Sequence, residues 1–280
     1  MAATAAGRRG NNEAVDEPEQ VLEGGNVAGV VVRAGQTVRK PAGPQTPAVA
    51  AFLEHLQEAG YPAAPRSLGC DARGRHVLEY VPGQLADTMP PLDPAGLRRV
   101  GALIRQLHDA TSGFREPPDA GWDVAIPPDH RDLICHNDLA PWNLVRDGDR
   151  WVFIDWDGAG PGSRLWDLGY AAKGFIPLVP DGDPAADGPR LRALADGYGL
   201  DARQRRELPA LMAAHTRGMY DLLRAGAETG RQPWARLHAE GHGAHWRGAA
   251  QYIEEHLDHW AQALLRPGPD RSSGHDGLLT

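Results

Sequence analysis

The stretch Leu133-Ile-Cys-His136-Asn137-Asp138-Leu-Ala-Pro-Trp-Asn143-Leu-Val, followed by Trp151-Val-Phe-Ile154-Asp155-Trp156-Asp157, decides how this sequence reads. Leu133 to His136 has the apolar character of a short buried strand. Leu144-Val145 and Trp151 to Ile154 form a hairpin around Asp147-Gly148-Asp149, a strong tight-turn signal. Asp138 then lies in the loop after a strand, five residues before Asn143, and the hairpin returns Asp155 toward Asn143. Three oxygen-bearing side chains converge at the mouth of the hairpin. Asn143 and Asp155 offer hard oxygen donors, which suit Mg²⁺ because it takes one or two carboxylates and completes its shell with water and phosphate. Asp138 is expected to stay unliganded and free to accept a proton.

Each of these residues, taken singly, also reads as an ordinary turn former. The combined spacing does not: His-x-Asp-x-x-x-x-Asn followed by apolar-apolar-Asp is the pattern of a kinase catalytic loop and metal loop. With the later Trp166-Asp167-Leu168-Gly-Tyr170, the stretch 133–170 resembles the aminoglycoside phosphotransferase (phosphotransferase enzyme) family, and within it a group labelled trifolitoxin-immunity-like. The Gly-Gly-Asn…Val-Arg-Lys-Pro segment and Leu-Glu-Tyr-Val-Pro-Gly extend the resemblance over residues 21–265.

The resemblance implies an α+β, protein-kinase-like fold with a small β-rich amino-terminal lobe and a larger, mostly helical carboxy-terminal lobe. It implies transfer of the γ-phosphate of ATP or GTP, with Mg²⁺, to a hydroxyl of an aminoglycoside-like compound or another metabolite. Asp138 would be the base, Asn143 and Asp155 metal ligands, and Asp157 either a further metal ligand or a turn cap. Asp167 and His136 would support the loop. A protein kinase is disfavoured: position 137 is Asn where an arginine would read a phosphorylated loop, only eleven residues separate Asp155 from Asp167, and no Ala-Pro-Glu follows. A small-molecule acceptor is therefore expected.

The pattern outside the loop fits two lobes. Val27 to Val32 reads as a strand, Ala34-Gly35-Gln36 as a turn and Val38-Arg39-Lys40 as the returning strand. Thr46-Pro47 supplies a helix cap, with Val49, Phe52, Leu53 and Leu56 at helical spacing. His76 to Val81 is another strand, and Asp93-Pro94 opens a helix carrying Val100, Leu103, Ile104 and Leu107. A linker is expected near 82–92, separating a nucleotide lobe (21–82) from a catalytic lobe (83–265), with disordered tails at 1–20 and 266–280.

In the nucleotide lobe, Gly24, Gly25 and Gly29 could bring backbone N–H groups to phosphates, or form a plain Gly-rich hairpin. Val38 and Lys40 share a strand face, so Val38 could line the base while Lys40 reaches phosphates; the alternative is a solvated edge lysine. Glu79 and Val81 would hydrogen-bond the base through backbone atoms. The resemblance implies an acidic partner for Lys40 on the following helix, where Glu54 is the only candidate before Glu58. Its absence would favour a nucleotide-binding immunity or regulatory protein with little turnover.

Several further patterns bear on function. The 29 basic and 37 acidic residues give a net charge of −8, a poor basis for binding nucleic acid, which rests on Lys and Arg neutralising phosphates. Mean hydropathy is −0.45 and no apolar run approaches the ~20 residues of a membrane span. Cys70 and Cys135 are too few for a disulfide framework, and the arginines near Met1 precede no apolar stretch, so the cytoplasm is the expected compartment. His238, His242 and His245 share a helix face, as zinc ligands or, more simply, a solvated or cleft-facing stripe. Gly241, Ala244 and Gly248 on the other side suggest close helix packing. Trp142, inside the loop, is placed to touch a substrate. The acidic runs Asp119/Asp123/Asp129 and Asp181/Asp183/Asp187 would face a cationic amino-sugar or simply solvent.

Overall fold

The computed structural model describes residues 18–22 and 30–266. The sequence alternates early between strand-forming runs and one amphipathic helix, and the amino-terminal lobe follows that order. A five-stranded antiparallel sheet contains β1 (Glu19–Val21), β2 (Val32–Ala34), β3 (Thr37–Lys40), β4 (Ser67–Cys70) and β5 (His76–Glu79), in the order β1-β2-β3-β5-β4. Gly35 takes φ +57°, a conformation open to glycine, and so fixes the tight β2–β3 turn in which Ala34 pairs with Thr37. That register starts the strand at Val32, later than the Val27–Val32 run suggests; Val27 lies outside the described residues.

Two other expectations need correction here. Glu19 and Gln20 are not tail: they form β1 with Val21, paired to β2, and the Glu19 carboxylate lies 2.6 Å from the Arg75 guanidinium. Residues 1–17 and 267–280 of the expected tails, and Gly24, Gly25 and Gly29, lie outside the described residues; Arg266 is described, its amide donating to the Gln262 carbonyl at 3.1 Å. The helix α1 (Thr46–Glu58) is not capped by Thr46, which is its first residue; its hydroxyl instead accepts from the Gly43 amide at 2.9 Å, tying down the preceding turn. Val49, Phe52, Leu53 and Leu56 are buried, and Gly60 ends the segment with φ +76°.

The second lobe opens with β6 (Gln84–Leu85), so part of the expected linker is ordered as a strand against β8 (Leu144–Asp147), which in turn pairs with β9 (Arg150–Phe153). A separate ribbon joins β7 (Leu133–Cys135) to β10 (Gly160–Gly162). The helices are α2 (Pro94–Ala110), α3 (Arg164–Phe175), α4 (Pro184–Tyr198), α5 (Ala202–Thr229), α6 (Trp234–Leu237), α7 (Gly243–Glu255) and α8 (Leu257–Leu265). Asp93 caps α2 by accepting from the Gly96 amide at 2.8 Å. A π-turn over His238–His242, with Gly241 at φ +100°, separates α6 from α7. It breaks the helical spacing on which the histidine stripe depended. Gly241 and Ala244 are exposed, and α7 packs instead through Gly243, Trp246, Ala249, Ala250, Tyr252 and Ile253.

One apolar core runs through both lobes, from Phe52 and Leu56 of α1 through Phe153 and Trp156 to Leu97, Ile104 and Leu107 of α2 and Leu191 and Leu194 of α4. Among the described residues no helix is long and apolar enough to cross a membrane. The α2–α4 crossing is close enough that two glycines are needed. A Cβ on Gly101 would strike the Leu194 carbonyl oxygen, and one on Gly197 the Arg98 carbonyl oxygen. Backbone cannot yield as a side chain can, so Gly197→Ala is expected to lower stability by about 1–3 kcal/mol, read as a lower midpoint in urea unfolding. An unchanged midpoint would show that the two helices separate freely.

Candidate active site

The loop after β7 owes its shape to one buried carboxylate. Asp167, in the first turn of α3, accepts from the amides of Asn137 (2.9 Å) and His136 (3.2 Å), and its Oδ2 lies 3.1 Å from Nε2 of His108 on α2. Burial works to raise its pKa, but the His108 hydrogen bond and charge, the nearby His136 and the Asn137 amide hold it below the usual carboxylate value. Cys135 adjoins His108 and Asp167, but its thiol donates to the Ser163 carbonyl and His108 Nδ1 meets the Tyr198 hydroxyl at 2.8 Å. These groups are satisfied by protein partners, which makes the cluster a hydrogen-bonded brace.

His136 is fully buried, its ring 4.4 Å from that of Trp156. Its Nδ1 accepts from the Asp138 amide at 3.2 Å, which leaves Nε2–H to donate to the Ile154 carbonyl at 3.1 Å. That arrangement uses the neutral imidazole, and burial pushes the His136 pKa down accordingly. Asn137 takes φ +64°, a left-handed conformation that Asn adopts more readily than most residues, and its side chain donates to the Gly158 and Gly160 carbonyls. Here is a local reason for Asn at this position. Asp155 is the other non-glycine residue at positive φ, +60°, among those described.

Asp138 is half-buried and is not free, contrary to the expectation from the sequence. Its Oδ1 accepts from the Tyr170 hydroxyl at 2.6 Å and its Oδ2 from the Asn143 amide nitrogen at 2.8 Å. Burial drives its pKa up to about 7; Tyr170 and Asn143 oppose the rise and the Asp155 charge adds to it. The site therefore holds a carboxyl whose protonation changes near neutral pH, the range suited to general acid–base work. Asn143 spends its amide nitrogen on Asp138, so its carbonyl oxygen is not used there.

Lys40 crosses from the other lobe. Its buried ammonium lies 2.9 Å from Asp155 and 2.6 Å from Asp157. Burial works to lower its pKa, but the two aspartates outweigh that and hold it above the usual lysine value. The expected helix partner is not Glu54, which is exposed on α1; the carboxylates come from the hairpin strand's far end. Burial pushes Asp157 up, with Lys40 opposing. Asp155 and Asp157 thus already surround one cation, and these carboxylates and the Asn143 oxygen are hard oxygen donors of the kind that suits Mg²⁺.

The remaining residues divide. Val38 sits on β3 opposite Leu78. Glu79 pairs its carboxylate with Arg150 and Arg66, and its amide donates to the Arg66 carbonyl at 2.9 Å, so that amide is not a donor toward a base. Val81 packs with Val145 and Val152. Of the acidic runs, Asp183 caps α4 and Asp187 is buried within it, which gives both a structural use, while Asp119, Asp123 and Asp129 are exposed. Trp142 is 38% exposed and sits edge-on to Tyr170 at 6.5 Å. Tyr170 is a site residue that the motif spacing does not single out, although its place three residues after Asp167 puts it on the same helix face.

The profile of the phosphotransferase enzyme family matches residues 119–209. The trifolitoxin immunity protein of Rhizobium leguminosarum bv. trifolii is 32% identical over 189 residues, which make up 62% of this chain and 72% of that protein. Among solved structures, a choline/ethanolamine kinase family protein from Mesorhizobium loti superposes with a TM-score of 0.61 at 19% identity, covering 90% of this chain and 94% of that one. The GDP complex of aminoglycoside 2'-phosphotransferase-IIIa gives 0.53 at 14% identity, with 89% and 95% covered. An amicoumacin kinase in complex with AMP-PNP and Ca²⁺ gives 0.61 at 14%, with 86% and 88% covered. Fold and loop together define the kinase-like class. Within it, the chain belongs to the phosphotransferase enzyme family.

Asp138 should leave a signature in stability. The unfolded chain loses this proton near its ordinary value of 3.8, whereas the folded protein keeps it to about 7. A raised folded pKa contributes stability that is complete at low pH and lost as pH climbs through the folded value. Asp138→Asn removes that slope. Its unfolding free energy relative to wild type should rise between about pH 4 and 7, by an amount on the order of a few kcal/mol, and level off above, with the melting temperature following. Calorimetric scans across that range test this; a constant difference would mean that Asp138 is not desolvated.

Proposed function

We propose that this protein is a small-molecule kinase that moves the γ-phosphoryl group of ATP or GTP to a hydroxyl of a small molecule, an aminoglycoside-like compound or another metabolite. The observation that carries the reading is the convergence of Asp138 and Asn143 on one loop with Lys40, Asp155 and Asp157 drawn from both lobes. Asp138 accepts the hydroxyl proton as the acceptor oxygen bonds to phosphorus and the bond from the γ-phosphorus to its bridging oxygen breaks, releasing the nucleoside diphosphate. Tyr170 and Asn143 hold the carboxylate in place for that transfer. Asn143, Asp155 and Asp157 would hold Mg²⁺, which neutralises charge on the nucleotide phosphates during phosphoryl transfer. Lys40, now between Asp155 and Asp157, is within reach of the same phosphates. Val38 on the central strand β3, Glu79 at the end of β5 and Val81 just beyond it mark the region where the base would lie. A cytoplasmic location supplies the nucleotide, and the chain's acidity gives nucleic acid little to hold.

A second reading has its own support. The related protein is named for immunity to trifolitoxin, and Lys40 has no partner in Glu54. A nucleotide-binding immunity or regulatory protein would keep Lys40 and the aspartates without using Asp138 for chemistry.

Mg-nucleotide binding and slow nucleotide hydrolysis separate the two. Asp155→Ala should weaken Mg-nucleotide binding about tenfold or more, whereas Asp138→Ala should bind normally and lose hydrolysis by roughly 10²–10⁴-fold. Wild-type binding in Asp155→Ala would overturn the metal assignment. Undiminished hydrolysis in Asp138→Ala would remove that residue as the base.

A further inference from the structure

The chain carries only two lysines against 27 arginines, and both lysines are buried beside the candidate site. Lys40 has two carboxylates. Lys173 has none: among the described residues no Asp or Glu oxygen lies within 4.0 Å of it, and its polar neighbour is the Nε2 of His245 at 3.1 Å. Its ammonium stands 4.5 Å from the centre of the Trp246 ring, a cation–π contact that offsets part of the burial cost. Burying an ammonium without a counter-ion costs several kcal/mol, and burial does push the Lys173 pKa down to about 8. The group still carries charge at neutral pH. A side chain with three donors and one acceptor nearby is an incomplete site.

The place of that charge gives it meaning. Lys173 follows Tyr170 by three residues on α3, so their Cβ atoms are about 5–6 Å apart on one face. Trp246 stacks on Tyr170 with ring centres 6.1 Å apart and planes 9° from parallel, and Tyr170 donates to Asp138. A continuous path thus runs Asp138–Tyr170–Trp246–Lys173, with exposed Trp142 edge-on to Tyr170 and the exposed ring of His245 at its outer end. His242 adds no negative charge there; it works with Lys173 to lower the pKa of His245, after burial.

We infer that the acceptor carries an anionic group, a carboxylate or a phosphate, that docks on Lys173 and His245, at the other end of the Tyr170–Trp246 path from the hydroxyl held at Asp138. The inference rests on the kinase reading for the role of Asp138. The ammonium donates to the anion in place of, or beside, the His245 nitrogen, and supplies the counter-charge the fold omits. A polycationic amino-sugar would meet repulsion at the same place, which turns the acceptor away from the aminoglycoside-like class.

Calorimetric titration of the full chain with Mg·AMP-PNP present tests this with three probes: 4-hydroxybutyrate, glycerol 3-phosphate and the uncharged 4-hydroxybutyramide. At least one anion should bind roughly tenfold to a hundredfold more tightly than the amide, the range for a hydrogen bond to a charged group. Which anion prevails identifies the group. Lys173→Met and His245→Asn should each erase the preference; because His245 is exposed, its substitution decides the matter if Lys173→Met melts early. Equal binding of anion and amide, or a preference that survives both substitutions, would overturn the inference. A mixed assay with ATP keeps the two proposals apart: anion preference without phosphoryl transfer sinks the kinase reading alone, and transfer without preference sinks the anion site alone.

Discussion

The fully buried carboxylate of Asp167 is the constraint on which the site depends. A charge with no exposure is tolerated only when its oxygens are satisfied, and here two loop amides and the His108 ring satisfy them. Those bonds join α2, α3 and the loop after β7 into one unit. Loss of any one partner would leave this buried carboxylate with an unmet hydrogen bond, so the loop is coupled to the two helices. The glycine contacts at the α2–α4 crossing extend the same constraint, since they fix the helix from which His108 projects.

The candidate site inherits its chemistry from what that unit holds nearby. Asp138 is close enough to Asp155 to feel its charge, yet it is buried and receives two donors, and the balance leaves its proton near neutrality. Lys40 is held by the opposite logic, with two carboxylates outweighing its burial. Lys173 has burial without carboxylates. Three titratable groups in one cleft region are therefore tuned by three different balances of desolvation and charge.

Much of the lobe order was legible in the sequence because the local signals agree with the fold. Val49, Phe52 and Leu56 recur at helical spacing and are buried, and Asp93 caps the helix it announces. The reading faltered where long-range partners decide. Glu19 looks like tail until the ladder to β2 and the Arg75 ion pair hold it, and Gln84–Leu85 looks like linker until β8 pairs with it. The histidine stripe is cut for a local reason: Gly241 at φ +100° interrupts the helix between His238 and His242, while His242 and His245 stay exposed, as a solvated stripe would be.

The spacing of His136, Asp138, Asn143, Asp155 and Asp167 by itself carried the family resemblance, because a loop and a hairpin of fixed length hold those groups at fixed intervals, and the kinase-like, two-lobed plan was what that resemblance implied. What only the tertiary structure decided is who touches whom across elements. Lys40 meets Asp155 and Asp157, 115 and 117 positions away, in place of a helix carboxylate; Tyr170 meets Asp138; and Lys173 lies under His245, 72 positions on. These pairings depend on packing between helices and lobes; the period of a sequence shows which face of an element is buried, and leaves no trace of which residue on another element it meets.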